Sequence, residues 1–80
     1  MNIQLIQGQF SAHEAIEIIT QMIQVKIKFH ENKINNSHGE ESTKMREKRI
    51  KDLQQDLHSV RNYIQNHGEN ITLQSELTLN

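Results

Sequence analysis

SAHEAIEIITQMIQVKIKFHENKI, residues 11–34, decides the fold. The segment opens with Ser11-Ala12-His13-Glu14, the pattern of a capping box. In such a box the serine hydroxyl accepts from the backbone amide of the acid, and the carboxylate accepts from the serine amide. Phe10 stands in the staple position before it, with Ala15 as its partner. No Gly or Pro occurs between the box and Ile34, so the spacing predicts one unbroken helix over 12–34. Its apolar residues form two stripes. Ala12, Ile16, Ile19, Ile23, Ile27 and Ile34 make the first; Ala15, Ile18, Met22, Val25 and Phe29 make the second. At the helical repeat the two together span an arc of roughly 200°, about twice what one neighbouring helix covers.

Outward from this segment, Asn35-Asn36-Ser37-His38-Gly39 has the residue types of a turn, so a loop is expected at 35–39. Ser37 with Glu40 makes a second candidate capping box. A second helix is predicted over 40–67, with Ile50, Leu53, Leu57, Val60 and Ile64 at alternating spacings of three and four. That stripe is narrow, about 80° wide, and has the form of a coiled-coil seam. Gly68 suits the position just past a helix, and His67 suits its negative end. So short a loop makes the helices antiparallel neighbours. Folding about His38 sets Ile23 near Leu53, Ile19 near Leu57, Ile16 near Val60 and Ala12 near Ile64. The register uses the first stripe and leaves the second uncovered.

Two strands flank the hairpin. Over 2–7, Ile3 and Leu5 alternate with Asn2 and Gln4; Ile6 falls on the opposite face, and Gly8 reads as a bulge or turn. Over 71–79, Ile71, Leu73, Ser75, Leu77 and Leu79 alternate with Thr72, Gln74, Glu76 and Thr78, the pattern of a half-buried strand. The hairpin returns Gly68 to Phe10, so the strands can pair antiparallel without a crossover. The expected fold is mainly α, a single β-α-α-β domain over 1–80. A two-stranded ribbon is marginal alone and has two open edges. The ribbon and the second stripe together lead to the expectation of a homodimer built as a four-helix bundle. Its interface would be Ile18, Met22, Val25 and Phe29, the last three lying farthest from the ribbon.

Composition narrows the function classes. The net charge is −1 with histidines neutral, so no global field draws the chain to nucleic acid or anionic lipid. There is no cysteine, no apolar run of membrane-spanning length, and no signal-like start in MNIQLIQGQF, so a cytoplasmic protein is expected. The Asn-x-Ser/Thr sequons at Asn35 and Asn70 are then chance matches. No nucleophile motif or Gly-rich phosphate loop occurs, and aromatic residues make up only 4%, too few for a ligand pocket. The chain is therefore read as a non-enzyme needing no cofactor. His13-Glu14-x-x-Glu17 resembles half of a zinc-protease helix motif, but Glu replaces its second His, and no metal is assigned. Lys26 and His30 lie between the two stripes, either snorkelling outward or meeting a carboxylate such as Glu41 or Glu47. Lys44, Arg46, Lys48, Arg49 and Lys51 surround a single acid, Glu47. Lys44, Lys48 and Lys51 share one face, which would suit a polyanion, but no stacking aromatic accompanies them. The function expected is a small homo-oligomeric protein-interaction or scaffold module that also engages a partner protein. The alternative is a nucleic-acid-associated regulator using the basic 44–51 segment.

Overall fold

The capping box forms as the sequence requires. Ser11 Oγ accepts from the Glu14 amide at 3.1 Å, and Glu14 Oε1 accepts from the Ser11 amide at 3.0 Å. The first helical bond, from the Ala15 amide to the Ser11 carbonyl, is 2.9 Å long. In the computed structural model, which describes residues 1–35 and 40–80, the elements are β1 (Asn2–Phe10), α1 (Ala12–Asn35), α2 (Glu40–His67) and β2 (Ile71–Thr78). The architecture is β-α-α-β and mostly helical. α1 runs one residue past expectation, taking in Asn35 of the expected 35–39 loop; the rest of that loop, with Ser37 of the second capping box, lies outside the described residues.

At its C-terminal end α2 stops where the sequence offers a residue free to leave the helix. Gly68 takes φ +93°, a left-handed value that penalises any Cβ. His67 Nδ1 donates to the Tyr63 carbonyl at 2.8 Å, and its ring stacks on Tyr63 with centroids 4.0 Å apart. A carbonyl can only accept, so this bond fixes the ring proton on Nδ1.

The helices pack along a seam. Its half-buried positions are Ile16, Thr20, Ile23, Ile27, His30 and Ile34 on α1, and Thr43, Arg46, Ile50, Leu53, Leu57 and Val60 on α2, with Ile64 buried at the base. The spacing of three and four on α2 thus runs back past Ile50 to Arg46 and Thr43, so the contribution of α2 to the seam turns polar toward the loop end, opposite His30 and Ile34 of α1. Thr20 Oγ1, in the base half of α1, is buried without a hydrogen-bond partner; nothing else in the structure accounts for a hydroxyl at that position.

β1 and β2 form a two-stranded antiparallel sheet, with Ile3 opposite Leu77, Ile6 opposite Ser75, Gly8 opposite Leu73 and Phe10 opposite Ile71. Three expectations for β1 need correction. The strand runs to Phe10, not Gln7. Its bulge lies between Gln4 and Ile6, where Leu5 is the extra residue, whereas Gly8 stays in the ladder opposite Leu73 with φ +148°, a backbone conformation that favours glycine. Ile6 therefore shares the inner face with Ile3, because one extra residue resets the alternation. β2 ends at Thr78, one residue short of expectation, although Met1 and Leu79 add a further rung through bonds of 2.9 and 2.7 Å. Asn2, Gln4, Gln7, Gln9, Thr72, Gln74, Glu76 and Thr78 make the outer face, all exposed. The inner face carries Ile6, Phe10, Ile71 and Leu73, all half-buried.

Among the described residues only Ala15, fully covered, and Ile64, 2% exposed, are buried hydrophobic side chains. Both lie where the ribbon joins the hairpin, and the core is confined to that end.

The capping box yields a test. Replacing Ser11 with Ala removes the hydroxyl acceptor and should cost about 1 kcal/mol, read as a lower Tm by circular dichroism. The Ser11 amide, then its hydroxyl, holds the Glu14 carboxyl below its ordinary value of 4.5. A lowered pKa stabilises the fold above that ordinary value, and the contribution fades as pH falls through the folded one. Stability should thus drop more steeply below pH 4.5 in the wild type than in Glu14→Gln. Equal slopes would show that the carboxylate charge contributes nothing.

Candidate interaction surface

The second stripe of α1 begins under the ribbon and ends in solvent. Ala15 is buried and Ile18 half-buried, but Met22 is 36% exposed, Val25 70% and Phe29 55%. The ribbon meets α1 over a short stretch and then stands off. A groove of about 680 Å³ opens between them, lined by Leu5, Leu73 and Leu77 from the ribbon and by Ile19, Met22 and Val25 from α1. Lys26 and Asp56 also line it. The ribbon therefore reaches farther along α1 than expected, to the level of Val25, yet leaves that residue uncovered. Leu5, Leu73 and Leu77 are parts of this surface that the sequence pattern alone did not assign. The signal was present as apolar residues on a ribbon with nothing opposite its far end.

Phe29 lies beyond the ribbon's reach. Lys33 Nζ sits 5.6 Å from its ring centroid, and the His30 ring meets it edge-on with centroids 5.8 Å apart. An exposed cation over a ring adds little, about 0.5–1 kcal/mol, so Phe29 remains a mostly wet apolar side chain.

The basic segment is divided by the helix. Arg46, Lys48 and Arg49 line a hollow of about 550 Å³ with His30, Ser42, Met45 and Asp52. Lys51 lines a different depression with Gln54, Gln55, His58 and Ser59. Lys44 is exposed on α2 and lines neither. Arg46 turns into the seam, while Lys44, Lys48 and Lys51 keep one face of α2, with Asp52 beside the cations that line the hollow.

His30 neither snorkels outward nor meets a carboxylate, the two alternatives the sequence left open; it meets an arginine. Arg46 Nη1 lies 3.1 Å from His30 Nδ1. Guanidinium can only donate, so Nδ1 accepts and the ring carries its proton on Nε2. The pair is neutral imidazole against cation, held in a partly buried layer of the seam. Of the other described histidines, His13 Nε2 is 3.9 Å from Glu17 in solvent, and Asn62 Nδ2 is 3.3 Å from His58 Nε2. Among the described residues no three His, Asp or Glu side chains gather as metal ligands, and no helix is long and apolar enough to cross a membrane.

No family model matches the chain, nor does any curated protein or solved structure.

The polar seam layer gives a further expectation. A buried or half-buried polar pair is often no better than apolar residues of similar size. His30→Leu combined with Arg46→Leu extends the apolar seam by one layer and should raise the Tm, at roughly 4–8 °C for each kcal/mol gained. A lower Tm in the double variant would mean that the pair itself holds the loop end together.

Proposed function

We propose that this chain is a non-catalytic protein-interaction or scaffold module whose working form is a homodimer, with the second stripe of α1 packed in a four-helix bundle. The observation that carries this reading is the surface the single chain leaves in water. It exposes 6519 Å², against about 5,000 Å² expected for a compact monomer of its mass. The excess, roughly 1,500 Å², is more than the ~800 Å² that one partner loses in a standard interface. Shape agrees with area. The radius of gyration is 15.1 Å and the extents are 45 × 33 × 13 Å, whereas a compact chain of this length would have a radius of about 12 Å. Covering what Val25 and Phe29 leave exposed contributes about 1–2 kcal/mol each, and Ile18 and Met22, already largely covered, add less. The dimer then offers its polar outer sheet, its ribbon edges and the outer faces of α2 to a partner protein.

Light scattering at micromolar concentration should give twice the single-chain mass of 9.4 kDa. Val25→Glu with Phe29→Glu places charges in the apolar face and should return the mass to one chain with a loss of stability. A wild type that scatters as a single chain would refute the dimer.

A second reading has one observation in its favour, the gathering of Arg46, Lys48 and Arg49 around one hollow. It makes the chain a polyanion-associated regulator. Lys48→Glu with Arg49→Glu should then abolish retention on a heparin column and flatten the salt dependence. Passage of the wild type straight through at low salt removes this reading.

A further inference from the structure

The exposed stripe has a symmetry of its own. Ile18, Met22, Val25 and Phe29 succeed one another at spacings of four, three and four. Read from either end the spacing is the same. Two copies of α1 laid antiparallel about an axis between Met22 and Val25 therefore set every apolar residue on another: Ile18 on the partner's Phe29, Met22 on the partner's Val25. Four residues beyond each end of this exposed set, past the buried Ala15 at one end, lie Glu14 and Lys33, both exposed. Antiparallel docking sets Glu14 against the partner's Lys33 twice over. Parallel docking would set Glu14 on Glu14 and Lys33 on Lys33, like against like. Glu14 spends Oε1 on the Ser11 amide, which leaves its second carboxylate oxygen to meet a partner cation. Along the same stripe, Leu5 and Leu77 stand beside Met22 and Val25, so a helix lying there would also close the groove beneath the ribbon.

From this juxtaposition we infer that the occupant of the exposed face is α1 of a second copy, docked antiparallel with Ile18 of each chain against Phe29 of the other. The inference rests on the dimer proposed above and adds its direction and register. Charge complementarity selects the direction, and the palindromic spacing selects the register.

The chain has no cysteine, so single thiols can be placed at will. Ile18→Cys and Phe29→Cys variants are prepared separately and oxidised alone and as an equimolar mixture. Positions 18 and 29 are about 16 Å apart along one helix, too far for a disulfide within a chain or between like residues of an antiparallel pair. Neither variant alone should crosslink, and the mixture should give a heterodisulfide dimer on a non-reducing gel. A second measurement covers any loss of folding in the thiol variants. Lys33→Glu leaves the helix intact, sets Glu against the partner's Glu14, and should weaken dimerisation roughly two- to tenfold at low salt, less as salt rises. In a parallel dimer the same change exchanges one like-charge contact for another and leaves the affinity alone. A dimeric wild type with self-crosslinking Ile18→Cys, no mixed disulfide, or an unaffected Lys33→Glu dimer overturns the docking mode while the dimer stands. A wild type that remains a single chain at the crosslinking concentration overturns both.

Discussion

An apolar arc of roughly 200° on one helix, facing a partner helix whose seam is only about 80° wide, is the constraint on which the rest of the molecule depends. α2 can cover one side of α1. The other side must be covered by something else or stay wet. The ribbon is the chain's own answer, and it is partial. Ala15 lies under it and is fully buried, while Val25, about three turns on, is largely exposed. The gradient along a single stripe locates the unmet demand without reference to any partner.

The ribbon's shortfall has a local cause. Its two strands grow from the ends of the hairpin, so Phe10 and Ile71 pair at the base and are anchored there. The bulge at Leu5 sits toward the far end, where such a feature increases twist and bends the strand. The inner face beyond it, with Leu5 and Leu77, opens away from α1 and makes the groove. The outer face is almost wholly amide and hydroxyl, so the sheet has one side built for water and one for apolar contact. A sheet of this kind covers an apolar neighbour on its inner side only, and at its far end that neighbour is missing.

Both helices, their antiparallel packing and the pairing of the terminal strands were legible because each rests on local chemistry. The Ser11–Glu14 box starts α1, Gly68 ends α2, and the period-two pattern after Ile71 has no competitor. The first strand was harder. Ile3 and Ile6 are three apart, which breaks alternation unless one residue is extra, and only the regular spacing of β2 opposite reveals that Leu5 is that residue. The His30–Arg46 layer was hidden in the same way. Arg46 continues the three-and-four rhythm back from Ile50, but a charged residue is not counted in an apolar seam. Leu5, Leu73 and Leu77 joined the candidate surface only through the angle at which the ribbon leaves the hairpin. That angle belongs to the junction of ribbon and hairpin, where Ala15 and Ile64 are buried, and is written in no single segment.

In the proposed dimer, burial of the second α1 stripe by another chain is the main support of a fold whose own core is confined to Ala15 and Ile64 among the described residues. The most direct test is the melting temperature as a function of concentration. Association that stabilises the folded state makes Tm rise with total protein, by mass action. Over a hundredfold range of concentration the dimer predicts an upward shift of several degrees, with unfolding and dissociation in one step. A Tm that stays constant across that range would contradict it, since the fold would then stand on the contacts of one chain.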